Sequence, residues 1–222
     1  MSATGIWAVV PVKDTTQSKQ RLAGTMAPAL RGNLALAMLQ DVLASLAQVK
    51  QLAGIAVVTI DPAAAVIAAA HGAAVLAADA AAGHTAAIAG AARHFRAQGA
   101  AGMLALHGDI PLVAPAEISA LLEAHGPAPA FTIVPAWDGR GSNAVLCSPP
   151  GLVALRFGDD SFLPHLEAAR AAGLEPSVLR LPGIALDIDT PRDLAAFLEH
   201  PSPGQTTALL RAHGYLAGRK HA

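Results

Sequence analysis

At 222 residues the chain is long enough for one domain with a sizeable core. Its 53% hydrophobic and 14% charged residues exclude a disordered chain. A net charge of −1 gives no attraction toward nucleic acid or a membrane surface, and the single cysteine, Cys147, excludes an internal disulfide or a cysteine-cluster metal site.

Ile6 to Val12 is an apolar, β-branched run and reads as the first strand. A polar loop follows, with Lys13, Lys19 and Arg21 as three cations within nine residues. Cations in a loop leaving a buried strand make a cradle for anions, although a solvated basic loop has the same composition. No Gly-x4-Gly-Lys loop occurs, so phosphates held here would rest on side chains and loop amides. Pro28 to Lys50 places Leu30, Leu34, Met38, Val42 and Leu46 at four-residue steps, with Leu39 and Leu43 beside them. That stripe belongs to a long amphipathic helix facing the core.

Ile55 to Ile60 reads as a strand, Asp61-Pro62 opens a helix to His71, and Ala74 to Leu76 is a short strand. Gly83-His84-Thr85 precedes an alanine-rich helix to about Gln98. Gly83 and Thr85 there suit an anion or a base edge approaching the backbone, and equally an ordinary helix cap.

Gly102 to Val113 carries the strongest signal. An apolar run, Met103 to Leu106, suits a strand buried on both faces; it breaks at His107-Gly108 and delivers Asp109 before Pro111. A carboxylate at the end of a central strand sits where open α/β sheets bind ligands.

Pro115 to Ala124 is a helix, Ala130 to Val134 a strand, and Asn143 to Cys147 another. Cys147 in that apolar run reads as a packed thiol. Between these strands, Gly139-Arg140-Gly141-Ser142-Asn143-Ala144 formally matches a dinucleotide fingerprint. It lacks the following helix, so the match is rejected. The loop still offers Ser142 and Asn143 to a polar ligand.

Gly158 and Ser161 lead into a helix from Ser161 to Ala172 and make a second anion site or a plain cap. Ser177 to Leu181 and Ile184 to Ile188 are expected strands. Alternation along the latter points Asp187 and Asp189 to one side, where two like carboxylates call for a shared cation or proton, and a metal resolves this best. Pro191 to Glu199 closes the domain. Pro201 to Ala222 reads as an appendage outside the core, partly disordered at its end. The nine histidines show no pair at ligand spacing; His107, two positions before Asp109, is the one worth following.

Strands alternating with helices predict a mostly parallel sheet covered on both faces. The cationic loop and three carboxylates, gathered at one edge, suit a nucleoside triphosphate held through Mg²⁺. No charged-then-apolar leader or membrane-length run is evident, so a cytoplasmic protein without a membrane or nucleic-acid partner is expected.

Five segments in order carry a family resemblance: Pro11-Val12-Lys13 with Lys19-x-Arg21-Leu22; Gly108-Asp109-Ile110-Pro111; Gly139-x-Gly141-Ser142-Asn143; Phe157-Gly158-x-x-Ser161-Phe162; and Leu186-Asp187-Ile188-Asp189-Thr190-Pro191. Across about residues 6 to 198 the chain resembles the phospholactate guanylyltransferase family of deazaflavin coenzyme F420 biosynthesis. The resemblance implies a Rossmann-like, three-layer nucleotidyltransferase of glycosyltransferase-A type over residues 1–200, with 201–222 appended. It implies transfer of GMP from GTP to 2-phospholactate, phosphoenolpyruvate or 3-phosphoglycerate. It assigns Mg²⁺ to Asp109, Asp187 and Asp189, the triphosphate to Lys13, Lys19 and Arg21, and the acid to Ser142, Asn143, Gly158 and Ser161.

Two departures stand out. Gly83-His84-Thr85 replaces a Gly-x-Asn pattern, leaving the base open, and His107-Gly108 replaces a Pro-Ala pair before the metal aspartate. A molybdopterin- or CTP-specific relative and a non-catalytic nucleotide-binding module are the alternatives. Oligomeric state is left open, a homodimer included.

Overall fold

The computed structural model describes residues 4–158 and 160–216. Asp159 and the Gly218 to His221 end of the expected disordered tail lie outside the described residues.

β1 (Ile6–Pro11) is the strand from which the rest is laid out. Ala8 and Val10 join one buried cluster and Trp7 and Val9 another, as the two-residue period of a strand requires. β2 (Leu52–Val58) and β4 (Gly102–Leu106) flank it in parallel. β3 (Ala74–Leu76) extends the β2 side, while β5 (Ala130–Pro135), β6 (Ser142–Ser148) and β7 (Ser177–Val178) extend the β4 side. The order is β3-β2-β1-β4-β6-β5-β7, and only β6 runs against its neighbours. The mostly parallel sheet expected from the alternation is therefore present.

α1 (Pro28–Leu46) and α2 (Pro62–Ala70) cover one face, α3 (His84–Ala97) the other, and α4 (Pro115–Ala124) returns to the first. The α1 stripe is buried as expected, but it serves two clusters. Leu39, Val42, Leu43 and Leu46 face the sheet, while Leu34 and Met38 face the later helices. Each such side chain contributes about 1.5–3 kcal/mol by leaving water; Leu43→Ala would cost about 2–5 kcal/mol with its cavity. α5 (Phe162–Ala171) packs Leu166 and Ala169 on Phe131, Ile133 and Val145. Cys147 is buried there, and burial pushes its thiol pKa up.

Near the C-terminal end two expectations change. Ile184 to Ile188 is not a strand: α6 (Pro182–Ala185) is a single helical turn, and Leu186 to Asp189 belongs to no helix or sheet. Pro182 presets the helical turn, and the outer edge of β5 is already taken by β7, itself paired only at Ser177–Val178. α7 (Pro191–Glu199) follows as expected. α8 (Gln205–Ala212), in the stretch read as lying outside the core, packs against α1 and buries Leu210 with Leu34, Met38 and Phe197. Among the described residues, no helix is long and apolar enough to cross a membrane.

Candidate active site

Strand order reverses between the parallel neighbours β1 and β4. The connection from β1 leads to β2 on one side and that from β4 leads through α4 to β5 on the other, so a crevice opens beyond their carboxyl ends. Because β6 runs antiparallel, its first residues lie at this same edge, where the His107 N–H donates to the Asn143 carbonyl at 3.1 Å. The Leu186 to Asp189 segment is drawn in by the Ile188 N–H, which donates to the Asp109 carbonyl at 3.0 Å. The result is a cavity of about 1020 Å³ lined by Lys13, Lys19, Arg21, Asp109, Ser142, Asn143, Gly158, Asp187 and Asp189, among others.

The two straps on the β1–α1 loop explain how it is aimed. Asp61 caps α2 through Ala63 and Ala64 with one oxygen and accepts from the Thr15 N–H (2.7 Å) and hydroxyl (2.6 Å) with the other. Buried Arg31 donates to the carbonyls of Met26 (3.0 Å) and Ser18 (3.4 Å) and to the Gln20 side chain (3.3 Å). α1 approaches the loop at Gly32, where an added Cβ would lie 3.1 Å from the Thr15 carbonyl oxygen.

Lys19, expected to face a triphosphate, instead donates to Asp109 Oδ2 at 2.5 Å and to Asp189 Oδ1 at 2.6 Å. Burial alone would lower its pKa, but the charges of Asp109 and Asp189 reverse that and hold it well above the ordinary value. Burial likewise works against ionised Asp109, yet Lys19 chiefly holds that carboxyl down to about 2. Asp187 differs: burial first and the Asp109 charge second raise its pKa. The like-charge conflict anticipated for these carboxylates is thus met by one ammonium and by a carboxyl readier to keep its proton.

Asn143 and Ser142 line the cavity, but the Asn143 amide nitrogen and the Ser142 hydroxyl already have partners in the protein. The Asn143 amide donates to the Ile184 carbonyl (3.1 Å), the Ala185 carbonyl (2.9 Å) and Asp187 Oδ1 (3.0 Å). It therefore holds the turn that presents Asp187. Ser142 Oγ meets His165 Nδ1 at 3.0 Å, and His165 Nε2 accepts from the Arg156 N–H at 2.9 Å. That acceptor role places the imidazole hydrogen on Nδ1, so Ser142 is the acceptor. Asp189 is aimed by the cap of α7: Asp193 Oδ2 accepts from the Asp189 N–H (3.2 Å) and the Thr190 N–H (2.7 Å). Asp193 Oδ1 also accepts from the Trp137 indole at 3.1 Å, and Arg192 lies 4.3 Å over the Trp137 ring.

Gly83, Thr85 and Ser161 lie outside the cavity lining. Gly83 is the left-handed residue (φ 96°) that opens α3. The Thr85 hydroxyl accepts from the Phe157 N–H at 3.0 Å, so it positions the Phe157–Gly158 turn from behind. Ser161 is buried before α5, and its hydroxyl makes no cap bond.

Composition gave no sign of an aromatic wall formed by His84, His107 and Phe157. The His84 ring stands 4.8 Å from that of His107 and 4.5 Å from that of Phe157. Burial, and then His107, press the His84 pKa down to about 3. Both histidines fall where the sequence departs from the family pattern, and the departures therefore touch each other in space.

The donor set suits a hard divalent ion: three carboxylates face one cavity, and Asp109 Oδ1 is buried with no hydrogen-bond partner. Yet among the described residues no three acidic, histidine or cysteine side chains stand close enough together to hold a metal, because the ammonium of Lys19 lies between two of them.

Sheet order and crevice are those of the nucleotide-diphospho-sugar transferase fold. A Desulfovibrio desulfuricans G20 crystal structure assigned in its name to the nucleotide-diphospho-sugar transferases superposes with a TM-score of 0.75 at 21% identity, covering 97% of each chain. Rv0371c from Mycobacterium tuberculosis H37Rv does so at 0.60 and 23%, covering 90% of this chain and 100% of that one. More particularly, the chain belongs to the guanylyl transferase CofC-like family, whose model matches residues 6–222. It is 40% identical over 190 residues to the phosphoenolpyruvate guanylyltransferase of Rubrobacter xylanophilus, covering 86% of this chain and 92% of that one. It is 33% identical over 193 residues to the 2-phospho-L-lactate guanylyltransferase of Methanothermobacter thermautotrophicus, covering 87% and 84%.

Proposed function

We propose that this protein transfers GMP from GTP to phosphoenolpyruvate, or to the kindred acids 2-phospholactate or 3-phosphoglycerate, with release of pyrophosphate. The step serves assembly of the deazaflavin coenzyme F420. One observation carries the reading: Asp109 and Asp189, far apart in sequence, come within 2.6 Å of a single cation in a cavity that Asp187 also lines. The names of the relatives support guanylyl transfer to a three-carbon phospho-acid.

A divalent metal, Mg²⁺ in this reading, would be held by Asp109, Asp187 and Asp189; when bound it supplies positive charge toward the α-phosphate and the departing pyrophosphate. Lys13 and Arg21, on the same cavity wall, add to that charge. The acceptor phosphate is already anionic at neutral pH and needs no general base. Asn143 and the α7 cap keep Asp187 and Asp189 in place, and Gly158 presents backbone to the acid. Ser142 and Asn143 therefore support the acid's site by positioning it, and Ser161 drops out of direct contact.

The test is pyrophosphate release from each of the four nucleoside triphosphates with Mg²⁺ and each of the three acids. GTP with phosphoenolpyruvate is expected to give the highest acid-dependent release. GTP performing no better than CTP with every acid would overturn the assignment, and binding without release would leave a nucleotide-binding module.

A further inference from the structure

The Lys19 ammonium occupies the position between Asp109 and Asp189, and its side chain is only 6% exposed. Lys19 has a left-handed backbone (φ 55°), which non-glycine residues adopt at a cost. The turn is gripped on both sides: Thr15 by Asp61 and Ser18 with Gln20 by Arg31. The loop is therefore built to point this ammonium inward.

We propose that Lys19 guards the metal position: its ammonium neutralises Asp109 and Asp189 until a metal–triphosphate enters, and it then moves onto the triphosphate as the two carboxylates pass to the metal. This inference rests on the nucleotidyltransferase reading. Charge accounting dictates the order. A divalent ion arriving alone would have to expel a buried ammonium toward acidic side chains that already accept other hydrogen bonds, Asp14 from Thr16, Asp138 from Arg140, Asp187 from Asn143 and Asp193 from Thr190 and Trp137, and the two cations repel strongly at close range. A triphosphate supplies the missing acceptor, with anionic oxygens suited to a lysine point charge. Withdrawal of Lys19 without a metal is also disfavoured, because it leaves Asp109 and Asp189 facing one position with no cation between them. Metal and nucleotide consequently enter as one unit, and the empty protein binds free metal weakly.

Two measurements test this. The first is Mn²⁺ titration of nucleotide-free protein, read by electron paramagnetic resonance of the free ion. Lys19→Met should bind Mn²⁺ at least about tenfold tighter than the wild type, whereas Lys19→Arg, which keeps the charge, should not. Equal affinity in wild type and Lys19→Met, or equal tightening in Lys19→Arg, overturns the proposal. The second uses the wild type alone, so folding of a variant does not enter. The buried Lys19 ammonium is followed by ¹⁵N–¹H NMR of the side chain. Its signal should hold on addition of Mg²⁺ and move when Mg²⁺ and a non-hydrolysable GTP analogue are added together. An unmoved signal at saturation with both overturns the exchange. Should the nucleotide reading itself be wrong, the analogue binds to neither protein while Lys19→Met still tightens Mn²⁺.

Discussion

The backbone N–H of Ile188 donates to the carbonyl of Asp109 at 3.0 Å, and through that bond the last acidic segment of the chain is fastened to the loop after the central strand. Without a strand to carry Asp187 and Asp189, this bond and the Asn143 amide bring three carboxylates to one cavity.

Asp109→Asn and Asp189→Asn test those carboxylates directly. Each should lower kcat by about 10²–10³-fold or more, the scale for losing a group that stabilises transition-state charge, while circular dichroism stays that of the wild type. Pyrophosphate release is the measurement. A variant with near-normal turnover removes its residue from the metal site.

Asn143 acts through Asp187, so Asn143→Ala should cut kcat without changing the KM for GTP by more than about twofold. It also strands the carbonyl of Ile184, costing about 1–3 kcal/mol in urea unfolding, while that of Ala185 keeps the Trp137 N–H. Ser161→Ala is the contrast: outside the cavity lining, it should leave both substrates' KM unchanged. A selective rise in the KM for the acid would return Ser161 to the site.

How much of this the sequence disclosed depends on how local the cause was. α4 and α7 start where a proline presets the first helical turn, and both were legible to the residue. β4 was legible because an apolar run between a glycine and a Gly-Asp break has few other uses. Ile184 to Ile188 misled because alternation describes any extended chain, while sheet membership depends on a neighbour with a free edge. That Asp109, Asp187 and Asp189 would gather at one edge was readable from their places after buried segments. The task of Lys19 was not: a cation in a polar loop carries no mark of whether carboxylate, phosphate or water will face it. His165 was hidden for the same reason, its partners Ser142 and Arg156 being joined only by the fold.

Asp61 joins loop and helix, so its removal should be felt at both. Burial works against its ionised form, and the Thr15 and α2 hydrogen bonds lower its pKa overall. Asp61→Ala should lose about 2 kcal/mol or more from the α2 cap and the charged bonds to Thr15. It should also raise the KM for GTP, because Lys13 and Lys19 then ride on a loosened loop. An unchanged KM alongside lost stability would separate the strap from nucleotide binding.

His165 makes the stability of the protein depend on pH in a defined window. Its pKa is pushed down from 6.5 to about 4 by burial first and by His107 second. Between those values the unfolded chain takes up a proton that the folded chain refuses, so stability is full above pH 6.5 and falls as pH drops toward 4. Within the window each such group costs up to about 1.4 kcal/mol per pH unit. His84, pressed to about 3, steepens the same decline. Protonation at Nε2 would also release the Arg156 N–H and so break the link that His165 makes between Arg156 and Ser142. His165→Gln, which does not titrate, should therefore be less stable than the wild type at neutral pH yet lose less on acidification. Urea midpoints at about pH 7.5 and about pH 5 measure both effects. Parallel losses in the two proteins would move the acid sensitivity to another group.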